Sequence, residues 1–359
     1  LTRLTKRAPS KRTVIALVAV TALAAGVTGV NALSGKGSSQ HAQGTSGVVG
    51  ALEVGDFFAA SIAVGDFDND GNGDIIAGAP NEDLGKRSNA GIVHVLYGGN
   101  SGVSTAGDTA LHPASPNVAG KSERDDLFGS SIAVGDFNND GYTDAVVGAP
   151  GEDVGSRRDA GAITILYGSR RGLRATNSAE FSGASSGMAG SAEAFGYFGE
   201  ALAVGDFDGD GFDDLAVGSP GAGGANNDSA GAVTILYGKR RVLSTGRSQQ
   251  LHLGTQGGPG ERMACDAFGA SLAAGDFDGD GRDELSVGLP GRATRDQTGA
   301  GAVMVFSGSK NGVRAAGATT LAQGLDGVPD LAEMDDQFGA TVAAGDFDGD
   351  GRDDLAIGS

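Results

Sequence analysis

The sequence repeats itself at a fixed period, with corresponding residues at every seventieth position. The tripeptide Gly-Asp-Phe occurs five times in register, at Gly65, Gly135, Gly205, Gly275 and Gly345. The flanking residues repeat as well, for example SIAVGDFDNDGNGDIIAGAP from Ser61 and SIAVGDFNNDGYTDAVVGAP from Ser131. Self-similarity at a fixed period is the signature of a repeat architecture, in which each copy forms one structural unit. The chain is therefore expected to be an array of related units.

Each unit is expected to form four short β-strands. The first two are of the Ser-Ile-Ala-Val and Ile-Ile-Ala-Gly types, and the third, Gly91–Gly98 in the first unit, alternates apolar residues with the period of a strand. The fourth is weaker, at Thr109–His112 and Thr319–Ala322. Glycine and proline punctuate the strand ends, and no helical period follows residue 32. This pattern predicts an all-β fold in which each unit is a four-stranded propeller blade.

An acidic loop, Asp-x-Asp/Asn-x-Asp-Gly-x-x-Asp/Glu, follows the first strand of every unit. Calcium takes six to eight oxygen ligands, and glycine at the sixth position permits a sharp turn. The pattern predicts about one Ca²⁺ per unit, bound by side chains at positions 1, 3, 5 and 9 and by the backbone carbonyl at position 7. The candidate ligands, unit by unit, are Asp66, Asp68, Asp70, Asn72 and Asp74; Asp136, Asn138, Asp140, Tyr142 and Asp144; Asp206, Asp208, Asp210, Phe212 and Asp214; Asp276, Asp278, Asp280, Arg282 and Glu284; and Asp346, Asp348, Asp350, Arg352 and Asp354.

An EF-hand shares the acids at positions 1, 3 and 5 and the following glycine, but it needs a bidentate glutamate at position 12. That position holds Ala77, Val147, Val217, Val287 and Ile357, which belong to the second strand. A β-hairpin loop is therefore expected. Asn138 removes one charge from the second loop, which should weaken that site modestly.

The overall charge agrees with cation binding. The formal net charge is −19, with 45 acidic residues against 26 Lys and Arg, and this acidity argues against a nucleic-acid binder. The single cysteine, Cys265, excludes an internal disulfide framework. Closely spaced carboxylates would repel one another without a cation, so bound calcium is the expected stabilising element.

Residues 1–32 have the features of a secretory signal peptide. Five cations and no acid lie in residues 1–12, an uncharged stretch runs from Thr13 to Val30, and Val30-Asn31-Ala32 fits a cleavage site. The alternative is an uncleaved membrane anchor, since the uncharged stretch is near the lower limit of length for spanning a bilayer. The prediction is a secreted or cell-surface protein.

The repeats resemble FG-GAP repeats, the units of the N-terminal β-propeller of integrin α subunits. Phe128-Gly129 corresponds to FG, and Gly148-Ala149-Pro150 corresponds to GAP. The resemblance covers about residues 41–359. It implies calcium in the loops between strands one and two, ligand contact through loops on the opposite face, and a seven-bladed ring. Bacterial-type secreted integrin-like proteins are the group that fits the predicted export.

The resemblance also suggests how the chain is divided. Residues 33–56 are expected to include an outer strand that closes the ring, because His41-Ala-Gln-Gly44 matches Leu321-Ala-Gln-Gly324 in spacing. Residues 57–126, 127–196, 197–266 and 267–336 are the first four repeats, and residues 337–359 are a partial fifth. The chain therefore looks C-terminally truncated, with a five-bladed ring as the alternative.

No catalytic constellation stands out. A G-x-S-x-G match begins at Gly183, but chance accounts for one such match in a chain this rich in glycine and serine. His94 is expected on a strand surface, and Cys265 is expected to be a buried or spare thiol. The chain is therefore predicted not to be an enzyme.

The expected function is binding or adhesion. The loops between strands two and three carry basic residues, namely Lys86, Arg87, Arg157, Arg158, Arg292 and Arg295. They could form a binding surface for an extracellular protein or glycan, or an ordinary solvated rim. The alternatives are an accessory propeller of an extracellular hydrolase, as in glycosylphosphatidylinositol-specific phospholipase D, and a structural surface protein.

Overall fold

The computed structural model describes residues 42–43, 47–48, 53–105, 107–223, 228–240, 243–258, 260–325 and 327–359. The predicted signal peptide and most of the predicted ring-closing segment lie outside these residues. All regular secondary structure in the described part is β-strand, which confirms the all-β prediction.

Four complete sheets and one hairpin follow the period of the sequence. The strands are, in the first unit, β1 Ser61–Gly65, β2 Asp74–Ala79, β3 Ile92–Leu96 and β4 Thr109–Leu111; in the second, β5 Ile132–Gly135, β6 Asp144–Ala149, β7 Ala162–Tyr167 and β8 Arg174–Ser182; in the third, β9 Leu202–Gly205, β10 Asp214–Ser219, β11 Ala232–Tyr237 and β12 Ser244–Leu251; in the fourth, β13 Ser271–Gly275, β14 Glu284–Leu289, β15 Ala302–Phe306 and β16 Thr319–Leu321; and in the fifth, β17 Thr341–Gly345 and β18 Asp354–Gly358.

Each complete sheet is an antiparallel meander, with its four strands paired in chain order. The first strands of consecutive sheets, β1, β5, β9, β13 and β17, contact one another in sequence. The molecule is therefore a β-propeller, and each sheet is one blade. The fourth strands of the second and third blades, β8 and β12, are nine and eight residues long. Their polar sequences gave no strand signal, because an outermost strand has little apolar surface to bury.

The apolar core lies between neighbouring blades. One cluster joins Phe67, Val93 and Val95 of the first blade to Val147 and Leu166 of the second. Equivalent clusters join the second blade to the third and the third to the fourth. Strands such as β6 and β14 are buried along their whole length because both of their faces are covered.

The FG and GAP glycines are required where adjacent blades meet. Gly148 N–H donates to the carbonyl of Ser131 in its own blade, and the N–H of Gly129 donates to the Gly148 carbonyl. A Cβ on Gly148 would lie 2.2 Å from the carbonyl oxygen of Gly199, which begins the next blade. No side chain fits at that separation, so glycine at this position permits the blades to pack.

Serine residues reinforce three of these junctions. The side-chain hydroxyls of Ser61, Ser131 and Ser271 donate to carbonyl oxygens in the following blade, at 2.6, 2.5 and 2.7 Å. The acceptors are Gly129, Gly199 and Gly339. In the third blade the corresponding residue is Ala201, so the junction with the fourth blade lacks this hydrogen bond.

The prediction for His94 is wrong. This side chain on β3 is fully buried, and its Nδ1 lies 3.0 Å from Oδ2 of Asp108. Its ring also packs edge-on against Phe58 at a centroid distance of 5.2 Å. The alternating pattern of β3 suggested an exposed face, but Phe58 and Asp108 of the same unit pack against the His94 side chain there.

Candidate metal centres

The acidic loops connect the first and second strands of each blade, as predicted. In the first loop, Asp66 accepts hydrogen bonds from the N–H groups of Asp70 and Gly71, at 3.0 and 2.9 Å. Asp70 accepts from the N–H of Asn72 at 2.8 Å. The same position-one and position-five contacts recur in all five loops. The local backbone therefore holds the carboxylates at positions 1 and 5 in a fixed turn.

Two positions of each turn adopt positive φ. The glycine at position 6 has φ between 84° and 91° in every loop, a region that disfavours side chains. Position 4 is also left-handed, and it is occupied by Asn69, Asn139 or glycine. Asparagine tolerates this conformation better than most residues. The requirement at position 4 explains why the pattern uses only these two residue types there, and the sequence analysis did not identify it.

Carboxylate oxygens converge in four of the five loops. In each of these loops, one oxygen from each of three carboxylates lies within 4.8 Å of the other two. The residues are Asp66, Asp68 and Asp70; Asp206, Asp208 and Asp210; Asp276, Asp278 and Glu284; and Asp346, Asp348 and Asp354. In the second loop Asn138 replaces the aspartate at position 3, and no three acidic groups there form such a set among the described residues. Oxygen-only ligands at this spacing fit a hard cation such as Ca²⁺.

The carboxylate at position 9 also has a structural role. Asp74 is fully buried, and its two oxygens accept the N–H groups of Phe67 and Gly98, at 2.9 and 2.7 Å. Asp144 and Asp214 make the same pair of contacts. Glu284 makes them at 3.1 and 3.4 Å. This residue therefore ties the loop to the start of the second strand and the end of the third. In the fourth and fifth loops, as Glu284 and Asp354, it also belongs to the converging set.

Burial makes these charges unfavourable in the absence of a cation. Desolvation, with a smaller contribution from neighbouring aspartates, raises the pKa of Asp144 to about 7 and the pKa of Asp214 to about 8. Desolvation likewise raises the pKa of Asp74, Asp68 and Glu284. A bound cation would compensate for the lost hydration of the ionised forms.

Carboxylates at position 8 connect loops of adjacent blades. Oδ2 of Asp213 accepts the N–H of Asp136 at 2.6 Å, and Oδ2 of Asp283 accepts the N–H of Asp206 at 2.7 Å. Asp353 and Asp276 form the equivalent contact at 3.1 Å. These contacts between blades were not predicted from the sequence. The only signal for them is that an aspartate precedes position 9 in three of the five units.

The loops between the second and third strands lie at the other end of each blade, because the strands are antiparallel. Three of their predicted basic residues are engaged by the protein itself. Arg292 contacts the carboxylate of Asp266 at 3.0 Å, Arg295 donates to the carbonyl of Gly324, and Arg158 lies over the ring of Phe195. Lys86, Arg87 and Arg157 are exposed.

Comparison with known proteins identifies the repeats. The family model described as "FG-GAP repeat" matches five segments, namely residues 58–96, 128–166, 198–236, 268–306 and 338–359. They cover the first three strands of each of the four blades and the final hairpin. The chain is an FG-GAP repeat protein. Its repeat units begin at the phenylalanine of each FG motif and extend through the third strand.

Relatives with this repeat include enzymes and integrins. The chain is 36% identical over 167 residues to rat phosphatidylinositol-glycan-specific phospholipase D, covering 45% of this chain and 18% of that protein. It is 30% identical over 240 residues to Xenopus laevis integrin alpha-4, covering 66% and 20%, and 32% identical over 242 residues to chicken integrin alpha-V, again covering 66% and 20%. The chain thus spans about a fifth of the length of these relatives.

The likeness to solved structures is more remote. A rhamnogalacturonan lyase, YesW, aligns with a TM-score of 0.42 and 15% identity, covering 83% of this chain and 54% of that chain. A match at this level does not bear on function. Within the described residues, no helix has the length and hydrophobicity needed to cross a membrane.

Proposed function

We propose that this FG-GAP propeller is a calcium-stabilised binding module that works outside the cell. The observation that carries the proposal is the convergence of three carboxylates within 4.8 Å in four loops, at positions 1, 3 and 5 in two of them and at positions 1, 3 and 9 in the other two. The residues at positions 1, 3, 5 and 9 would hold the ion with their side chains, and residue 7 would add its carbonyl. Calcium would neutralise the clustered charge and lock each hairpin, while the protein supplies the turn that preorganises the ligands.

Calcium is expected in all five loops, with weaker binding in the second. Asn138 still offers an amide oxygen as a ligand, but it supplies no negative charge. Asp136 and Asp140 keep the turn geometry of the other loops. This loop is therefore a competent but weaker site.

The ligand surface is proposed on the face opposite the calcium loops. The exposed cations Lys86, Arg87 and Arg157 lie on the loops between the second and third strands of the first two blades. Together they favour an acidic extracellular protein or an anionic glycan as the partner. Export is supported by the signal-like sequence at residues 1–32.

A second candidate is an accessory propeller in a larger extracellular hydrolase. It is favoured by the 36% identity to a phosphatidylinositol-glycan-specific phospholipase D. In that case the propeller would position a catalytic domain rather than mediate adhesion itself. A structural surface protein without a specific ligand is the remaining possibility.

Binding is tested with the secreted chain immobilised in calcium and presented with anionic glycans and purified extracellular matrix proteins. The proposal predicts saturable binding that is lost when Lys86, Arg87 and Arg157 are changed to Gln. The matched control replaces Lys239, Lys310 and Arg314 by Gln. These exposed cations lie at the end of the blades that carries the acidic loops. Absence of saturable binding to every probe would reject the adhesion hypothesis.

A further inference from the structure

A polar cavity lies beside the acidic loop of the second blade. Its volume is about 660 Å³, which is in the range of pockets that hold small ligands. Its lining comes from the acidic loop, the end of β7, β8, and the segment that follows β11 in the third blade. The lining residues include Asn138, Tyr167, Arg174, Thr176, Asn177 and Arg240. The cavity is at the acidic-loop end of the blade and is therefore separate from the ligand surface proposed above.

The third blade has an ion pair at the place that corresponds to this cavity. There the guanidinium of Arg247 lies over the ring of Tyr237 and pairs with Asp208 of the acidic loop. One repeat earlier, both members of this ion pair are asparagine, and the tyrosine is retained. The corresponding residues are Asn177, Asn138 and Tyr167, and all three line the cavity. The second blade thus has two short neutral amides in place of the ion pair, and its tyrosine is partly exposed.

The backbone at Asn177 also favours a short side chain. Its φ is 68°, in the left-handed region, which asparagine tolerates better than most residues. Gly107 and Gly317 occupy the equivalent positions of the first and fourth blades, with φ of 104° and 85°. The second blade therefore supplies an amide group at a place where these two blades have no side chain.

The cavity also offers positive charge to a ligand. Nε of Arg174 donates to the hydroxyl of Ser169 at 2.6 Å, a contact that orients the guanidinium. Among the described residues, no carboxylate lies within 4.0 Å of Arg174 or Arg240. Asp140 is the one acid among the described lining residues. Two guanidinium groups therefore outnumber the carboxylate and favour an anionic ligand.

We propose that this cavity binds an acidic saccharide, that is, a sugar residue that carries a carboxylate. The apolar face of the sugar ring would pack on the exposed part of Tyr167. The carboxylate would accept two parallel hydrogen bonds from a guanidinium. The amides of Asn138 and Asn177 and the hydroxyl of Thr176 offer both donors and acceptors. Such a lining matches the hydroxyl groups of a saccharide better than the apolar side chains of a peptide.

The proposal is tested by titrating the isotope-labelled full chain with methyl β-D-glucuronide in excess calcium chloride. The amide resonance of Gly168 reports binding, because Gly168 lines the cavity and its N–H is fixed by a hydrogen bond to Asp144. The matched probes are methyl β-D-glucoside, which lacks the carboxylate, and acetate, which lacks the sugar.

Two variants change the cavity with little change in shape. Arg174→Gln removes a cation, and Asn177→Asp adds a negative charge that repels the carboxylate. Arg171→Gln is the matched control, since Arg171 is an exposed cation of the same blade that lies outside the described lining. A cavity of this size holds one or two sugar residues, so the binding is expected to be too weak for retention on the immobilised chain. This test and the test of the proposed function can therefore fail independently.

Methyl β-D-glucuronide is expected to shift the Gly168 resonance saturably and to bind roughly tenfold more tightly than either matched probe. Arg174→Gln and Asn177→Asp should each weaken that binding roughly tenfold, whereas Arg171→Gln should leave it unchanged. Circular dichroism establishes that each variant is folded, and Asn177→Asp decides the outcome if Arg174→Gln does not fold. The absence of a saturable shift, equal binding of acetate, or tighter binding of the acidic peptide Gly-Glu-Gly would each overturn the proposal.

Discussion

The guanidinium of Arg247 lies 2.6 Å from Oδ2 of Asp208, a carboxylate of the third acidic loop. Its Cζ also lies 4.8 Å from the centre of the Tyr237 ring, and the Tyr237 hydroxyl accepts the N–H of Val313 at 2.8 Å. Three consecutive interactions thus connect a proposed calcium ligand with the fourth blade. The corresponding residues of the first, second and fourth blades are Gly107, Asn177 and Gly317, so this cation is particular to the third loop.

Replacing Arg247 by Gln should strengthen calcium binding in the third loop by roughly tenfold, because a positive charge beside the ion site is removed. The binding is followed through the amide resonance of Gly211, whose N–H donates to Asp206 in that loop. Arg314→Gln, an exposed change of equal charge, is the control. Unchanged affinity at Gly211 would show that Arg247 does not compete with the ion.

Replacing Asn138 by Asp should strengthen calcium binding in the second loop by roughly tenfold, since it restores a charged ligand at position 3. Calcium titration followed at Gly141 measures the change. Asn139→Asp is the matched control, because it adds the same charge at the left-handed position 4 of the turn. Equal gains from both variants would indicate a general charge effect rather than coordination.

Much of this arrangement follows from sequence alone, because a repeated unit reveals its strands and its loop by position. The turn at Asp66 and Gly71 could be predicted since it depends on neighbours within a few residues. The contact between Asp213 and Asp136 could not, because it joins residues 77 positions apart whose proximity depends on the angle between blades. The Arg247–Asp208 pair escaped prediction because it joins β12 to a loop of the same blade that is distant in the sequence. The bounds of the long polar strand β8 could not be located because edge strands lack an apolar pattern.

Replacing Ala201 by Ser should stabilise the propeller by about 1 kcal/mol. The new hydroxyl would donate to the carbonyl of Gly269, as Ser131 donates to that of Gly199. Urea unfolding in saturating calcium measures the free energy of unfolding. The converse variant, Ser131→Ala, should lose about the same amount. If Ala201→Ser has no effect while Ser131→Ala is destabilising, the junction between the third and fourth blades must differ in geometry from the one that Ser131 stabilises.

In the presence of chelator, the free energy of unfolding should fall as the pH rises from about 4 to about 7. The pKa of Asp144 is raised to about 7 in the folded protein, so the folded state binds the extra proton across this window. The proton on Asp144 therefore stabilises the folded protein fully below the pKa of the unfolded chain, and this stabilisation is lost as the pH rises to about 7. The free energy of unfolding falls by up to about 1.4 kcal/mol per pH unit across the window.

Urea unfolding of wild type and Asp144→Asn across this pH range isolates that contribution. The difference between the two proteins should change with pH in chelator, and calcium should reduce the change because the ion stabilises the ionised form. A difference that is independent of pH would contradict the burial of a charge at this position.

Stabilisation of the propeller by calcium in the acidic loops is measured by thermal unfolding at neutral pH, with excess calcium or with chelator. Each loop whose ligand is present at a hundredfold excess over its Kd should add about 2.7 kcal/mol to the free energy of unfolding. We therefore expect a clearly higher midpoint in calcium. The same midpoint in calcium and in chelator would contradict a stabilising role for the ion.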